Sequence, residues 1–282
     1  MHPVITPAQL AALLAGPEPP TVADVRWSLT GPPGRVDYRA GHLPGAIFLD
    51  VDTDLAGPPG QDGRHPLPYP AALQATLQAA GVRARAPVIA YDAADGSVAA
   101  RLWWLLRWAG HPAVAVLDGG IAAWRAAGLP VTVDVPEPQA GTITIRPGAM
   151  PVLDAAQAAA LARDGVLLDA RAAARYRGDV EPVDPRAGHV PGASNAPCGE
   201  LTDVQGRWLP PTRLRELARR WGAAGAEVGV YCGSGINACA VVLGLELAGV
   251  TAPQRPAALY AGSWSQWCTD PDRPVATGPK PG

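Results

Sequence analysis

The 282-residue chain has no basic or acidic block, and its formal net charge is only −2. It therefore lacks the electrostatic footprint on which binding to nucleic acid or an anionic membrane surface depends. Its longest apolar runs, such as Ala238–Leu245, fall far short of the roughly 20 residues of a membrane helix. The first fifteen residues carry neither a basic region nor a long apolar core, so no signal peptide is expected. Four cysteines in a chain of this length make no disulfide framework. The close pair, Cys232 and Cys239, has neither redox nor zinc spacing. No metal-ligand cluster and no phosphate loop of the Gly-Lys-Ser type occurs, so neither metal nor cofactor is expected. A reducing cytoplasm is the expected compartment.

What the chain does have is a pattern written twice. Val22-Ala23-Asp24-Val25-Arg26 recurs as Leu167-Leu168-Asp169-Ala170-Arg171. Arg39-Ala40-Gly41-His42-Leu43-Pro44-Gly45-Ala46 recurs as Arg186-Ala187-Gly188-His189-Val190-Pro191-Gly192-Ala193. An apolar run closing on Tyr91 recurs closing on Tyr231, and a block ending at Trp124 recurs ending at Trp267. The order is the same in both halves, which points to two copies of one domain, residues 1–135 and 150–282. Val133–Pro151, rich in proline, reads as the linker.

Each half alternates short Val/Ile/Leu runs with longer Ala/Leu/Arg stretches. In the second half the predicted strands are Val166–Asp169, Ala193–Asn195, Val228–Tyr231 and Ala257–Tyr260. The predicted helices are Asp154–Arg163, Pro211–Trp221 and Gly235–Ala248. Such alternation implies an α/β fold, each domain a parallel sheet flanked by helices. Ligands of such folds sit outside the carboxyl ends of the strands.

The halves differ where chemistry could occur. Tyr91 is followed by Asp92, whereas Tyr231 is followed by Cys232-Gly233-Ser234-Gly235-Ile236-Asn237-Ala238. A loop of small residues lets backbone N–H groups converge on an anion, and the helix that follows adds its positive end. Both favour a thiolate, so Cys232 is expected to be a nucleophile rather than a packed structural thiol. A cysteine phosphatase would need Arg six residues after the nucleophile, where Ala238 stands. Thioredoxin chemistry would need Cys at position 235, which is Gly. Nothing nearby matches a papain-like protease.

These residues resemble the active-site loop of the 3-mercaptopyruvate sulfurtransferases, tandem-domain members of the rhodanese superfamily. Ala-Gly-His-x-Pro-Gly-Ala in both halves, and Gly262-Ser263-Trp264 before Trp267, fit the same family. The resemblance implies two rhodanese-like domains, the first catalytically silent, with the site where the domains meet. It implies that Cys232 takes sulfur from a donor as a persulfide and passes it to cyanide, a small thiol or thioredoxin. Gly233, Gly235, Ile236 and Asn237 would line the bound sulfur, Asn237 standing where the family usually has Thr. Ser234, His65 and Asp52 would form a proton relay. Arg175 and Arg186 would hold the substrate carboxylate. Thiosulfate-preferring rhodaneses carry Arg and Lys directly after the cysteine, where this chain has Gly233 and Ser234. The expected donor is therefore mercaptopyruvate, with thiosulfate:cyanide transfer as the alternative. A non-catalytic sulfur-sensing or interaction module is the rival from another class.

The remaining candidates read blandly. His42 and His189 occupy a turn common to both halves and are expected to organise it. Asp24 and Asp169 are expected to fix loops. Trp103, Trp104 and Trp108 lie on one predicted helix among leucines, the pattern of a core. Cys239 is expected to be a packed thiol, and Cys198 and Cys268 carry no motif.

Overall fold

The computed structural model describes all of residues 1–282. The chain divides into two compact units. In the first, β1 (Val4–Ile5), α1 (Pro7–Leu14), β2 (Thr21–Asp24), α2 (Gly34–Ala40) and β3 (Ile47–Phe48) come in turn. They are followed by α3 (Pro70–Ala79), β4 (Val88–Tyr91), α4 (Ala99–Trp108), β5 (Val114–Leu117) and α5 (Gly120–Ala126). The five strands are all parallel, in the order β1-β5-β4-β2-β3. The central strand β4 is apolar along its whole length because both its faces are covered.

The second unit repeats the plan. It comprises β6 (Val152–Leu153), α6 (Ala155–Asp164), β7 (Val166–Asp169), α7 (Ala173–Arg177) and β8 (Ser194–Asn195). Then come α8 (Pro211–Arg220), β9 (Val228–Tyr231), α9 (Asn237–Leu247), β10 (Ala258–Tyr260) and α10 (Ser263–Trp267). The sheet order β6-β10-β9-β7-β8 is that of the first unit, again parallel throughout. The expected α/β architecture of two parallel sheets flanked by helices is the observed one. No helix is long and apolar enough to cross a membrane.

Local chemistry explains the matching boundaries. Thr6 and Asp154 cap α1 and α6 with the same reciprocal box, closed by Gln9 and Gln157. Such a cap contributes about 1 kcal/mol. Pro211 opens α8, where a missing N–H costs nothing, and Gly249 at φ +66° follows the last turn of α9. Helices α4 and α9 are apolar on nearly every side and are almost wholly buried. Trp103 and Trp104 are core residues, as their pattern predicts.

The two-residue strands β1 and β6 and the short helices α7 and α10 are too brief to show a period, and pattern reading passes over them. The Pro-rich stretch before β6 differs more. Residues 141–149 pack along the first unit rather than hanging free. Thr142 and Ile143 donate their N–H groups to the Val82 carbonyl, and Ile143 is buried. Gly141 lies so close that a Cβ there would collide with the Val82 backbone.

Two loops also depart from simple chain order. Residues 58–67, between β3 and α3, belong to the second compact unit. Residues 202–208, between β8 and α8, belong to the first. The two are a further repeat: Gly63-Arg64-His65 corresponds to Gly206-Arg207-Trp208. Each unit thus receives a Gly-Arg-aromatic segment from the opposite half of the chain.

Candidate active site

Cys232 follows the last residue of β9, at the carboxyl edge of the second sheet. Its Sγ accepts the Gly235 N–H at 3.1 Å, the first of the anion-stabilising contacts expected of this loop. Its own N–H donates to Ser263 Oγ, which in turn donates to the Tyr260 carbonyl. Ser263 holds φ +55°, the one non-glycine residue with positive φ in the chain. That conformation costs on the order of 1–3 kcal/mol and persists because the hydroxyl pins the loop. Trp264 and Ser265 then donate N–H groups to the Cys232 and Gly233 carbonyls. Gly235 at φ +82° allows the tight turn, and a Cβ there would meet the Ala261 carbonyl at 2.6 Å. Ile236 is buried beneath the loop, and Asn237 opens α9.

His65 reaches this loop from residues 58–67. Its Nδ1 lies 2.7 Å from Ser234 Oγ, and both side chains are about 5 % exposed. The segment is anchored by the Arg64 N–H, which donates to Ser265 Oγ. A buried hydroxyl bonded to an imidazole beside a thiol is an arrangement through which a proton can pass. Asp52 lies in the first unit, where its carboxylate accepts the Trp27 Nε1–H at 3.0 and 3.1 Å.

The cations differ from expectation. Arg175, on α7, presents Nη1 to the point where a Gly233 Cβ would stand, 3.3 Å away. Its Nε and Nη2 donate to Glu181, and Nη2 also to Asp184. Arg186 instead directs its guanidinium at the carbonyls of Asp270 and Arg273, while its own carbonyl accepts the Trp264 Nε1–H. Those contacts tie a loop together. The second guanidinium at Gly233 belongs to Arg64, whose Nη2 lies 3.4 Å from the same point. Sequence reasoning missed Arg64 because its neighbours along the chain say nothing about where residues 58–67 pack. The repeated Gly-Arg-aromatic triplet was the available signal. The loop itself carries no cation, as its sequence says, yet two reach Gly233 from other segments.

The first unit shows what the same architecture does without a thiol. The Asp92 carboxylate accepts backbone N–H groups from Ala94, Gly96, Val98 and Ala99, at 3.0 to 3.2 Å. The nest is filled by the chain's own carboxylate, which leaves it no room for an outside anion. Burial and the neighbouring Asp95 push the Asp92 carboxyl up to about 6, against the opposing pull of the Ala99, Gly96 and Val98 N–H groups. A folded value above the unfolded one of about 3.9 means that the folded state holds this proton more tightly. The resulting stabilisation is fully present below about pH 4 and is lost as pH rises through 6. Urea unfolding between pH 4 and 7 is therefore expected to show a loss of up to about 3 kcal/mol from this group. Asp92→Asn should flatten that part of the profile. An unchanged slope in the variant would remove Asp92 as its source.

The expected structural residues behave as such. Arg26 pairs with Asp24 and donates to the Gly41 carbonyl, and Arg171 pairs with Asp169 and donates to the Gly188 carbonyl. His42 and His189 stack on Tyr38 and Tyr176 and face backbone carbonyls with both ring nitrogens. Burial and Asp169 push the Tyr231 hydroxyl well above its ordinary value, keeping it a neutral donor and acceptor. The Cys239 thiol is buried and directed at the Gly235 carbonyl. A cavity of about 370 Å³ in the first unit is lined by Arg35, Phe48 and Asp54 and includes no residue of the loops described above.

Comparison with known proteins places the chain in a family. The rhodanese-like domain family matches twice, over residues 6–127 and 154–270. A Pseudomonas aeruginosa protein named for 3-mercaptopyruvate sulfurtransferase activity is 47% identical over 98% of both chains. SseB of Mycobacterium tuberculosis, named for thiosulfate sulfurtransferase activity, is 43% identical over 98% of this chain and 97% of its own. The solved 3-mercaptopyruvate sulfurtransferase SseA of Escherichia coli superposes with a TM-score of 0.81 at 28% identity, covering 94% of this chain and 100% of its own. With the thiol loop intact and relatives that are enzymes, the non-catalytic alternative falls away, and the chain belongs to the rhodanese family as a two-domain sulfurtransferase.

Proposed function

We propose that this enzyme takes sulfur from 3-mercaptopyruvate, carries it as a Cys232 persulfide, and delivers it to a thiol acceptor. The Cys232 thiolate attacks the donor sulfur, and the carbon–sulfur bond breaks. The electron pair stays on carbon as the enolate of pyruvate, which takes a proton to leave as pyruvate. Ser234, bonded to His65, is the group that delivers the proton. The terminal sulfur remains on Cys232, where the Gly235 N–H stabilises its charge. Attack by a small thiol, reduced thioredoxin or cyanide on that sulfur restores the thiolate. Gly233, Ile236 and Asn237 shape the space around it. The cytoplasm, where such thiols are kept reduced, is the compartment this chemistry suits.

The observation that carries the donor assignment is the balance of charge at Gly233. Arg64, Arg171 and Arg175 are matched by Asp169, Glu181 and Asp184 in one network. A balanced cluster offers directed N–H groups to a monocarboxylate without the excess positive charge that would favour a dianion. Thiosulfate is the second reading, supported by the name of the M. tuberculosis relative and by the two guanidiniums at Gly233. Steady-state rates with each donor and one thiol acceptor separate the two. A kcat/KM for mercaptopyruvate at least about 10-fold above that for thiosulfate is expected, and the reverse order would overturn the assignment.

A further inference from the structure

We infer that Arg64 is a substrate-binding residue, the second guanidinium of a carboxylate clamp whose first is Arg175, with Asp184 positioning both. The inference rests on the reading of mercaptopyruvate as donor.

Three arginines of the chain show how it uses a guanidinium edge. Arg26 presents Nε and Nη2 to Asp24, Arg171 presents the same edge to Asp169, and Arg175 to Glu181. In each case the planar fork meets a carboxylate of the protein, the geometry for which Arg is suited. Arg64 differs. Its Nη1 donates to Asp184 Oδ1 at 2.8 Å, but its Nε–H is buried and has no partner. Buried donors are ordinarily bonded, so an orphaned one beside a nucleophile marks the place of a ligand. The edge left over is the Nε/Nη2 edge that the other three arginines give to carboxylates, and its Nη2 is the atom nearest Gly233.

Asp184 sets the arrangement. One carboxylate oxygen takes Arg64 Nη1 and the other takes Arg175 Nη2 at 3.1 Å. That bridge holds the two guanidiniums on either side of one point, directly over the residue after the nucleophile. Gly233 is what keeps the point open, since a Cβ would stand 3.3 and 3.4 Å from the two nitrogens. The first unit supplies a contrast. There the counterpart Arg207 donates to the carbonyl and carboxylate of Asp118, the residue just after β5. The residue just after β10 is Ala261, which offers Arg64 no carboxylate.

A carboxylate gripped equally before and during sulfur transfer contributes to KM rather than to kcat. The test compares 3-mercaptopyruvate with mercaptoacetone, which has a methyl group where mercaptopyruvate has its carboxylate. Arg64→Ala is expected to raise KM for mercaptopyruvate on the order of 10-fold, with a much smaller change in kcat. The loss of kcat/KM on mercaptopyruvate should exceed that on mercaptoacetone by about the same factor, and Arg64→Lys should recover part of it. Equal losses on the two donors, or an unchanged KM for mercaptopyruvate, would overturn the role of Arg64 while leaving the donor assignment standing. A native enzyme that handles both donors equally well would instead remove the carboxylate from recognition, and both readings with it. Thermal melts of Arg64→Ala and Arg64→Lys show whether either variant is folded, and a folded Lys variant carries the comparison if the Ala variant is not.

Discussion

Cys232→Ser is expected to abolish sulfur transfer, a loss on the order of 10⁴-fold or more, with little change in stability. The sulfur atom is the only part of the site that forms a bond, and no neighbouring group can replace it. A serine hydroxyl is similar in size and can still accept the Gly235 N–H, so the loop keeps the contact that now ends on Sγ. The other buried thiol nearby, Cys239, sits on α9 and points its Sγ at the Gly235 carbonyl. That thiol meets an acceptor, whereas Cys232 meets an N–H donor at the carboxyl end of β9. Intact-mass spectrometry after treatment with donor should find one added sulfur on the native chain and none on the variant. A sulfur that appears on Cys239, or turnover retained by Cys232→Ser, would defeat the assignment.

How much of this was legible in the sequence follows from the physical range of each signal. The strand ending at Tyr231, the Gly-rich loop and the apolar helix after it are local features, and each is where its residues place it. Repetition extended that reach. His42 and His189 could be set aside as structural because the half without a catalytic-type cysteine carries one of them too. Reading failed where position depends on long-range packing. The stretch after Val133 looks like a linker because its prolines and glycines forbid regular structure, yet Ile143 is buried against the first unit. Arg186 follows a conspicuous motif and was the natural second cation, but its guanidinium faces backbone carbonyls. Arg64 lies more than 160 residues from the cysteine, in a first-half segment that packs into the cysteine's own compact unit. Only the fold brings it to Gly233. The family resemblance pointed to His65 in the same segment, and Arg64 had no such pointer.

His65→Ala is expected to lower kcat on the order of 10²-fold or more, with a smaller effect on KM. When the donor carbon–sulfur bond breaks, negative charge builds on carbon, and a proton must arrive as it does. Water has poor access to this point, since Ser234, His65 and Cys232 are all buried. The pair joined at 2.7 Å between Ser234 Oγ and His65 Nδ1 is the proposed route. A hydroxyl alone is a weak acid near neutral pH, whereas an imidazole titrates there and can resupply the proton through it. Ser234→Ala interrupts the same route from the other end. Because the two residues act as one relay, their effects should not add, and the double variant should lose little more than the worse single one. The pH profile of kcat supplies a readout that damage to packing would not imitate: the limb set by the imidazole should vanish in His65→Ala and persist in Cys239→Ala. Additive losses from His65→Ala and Ser234→Ala, or a pH profile that His65→Ala leaves unaltered, would mean that the proton reaches the leaving carbon by another path.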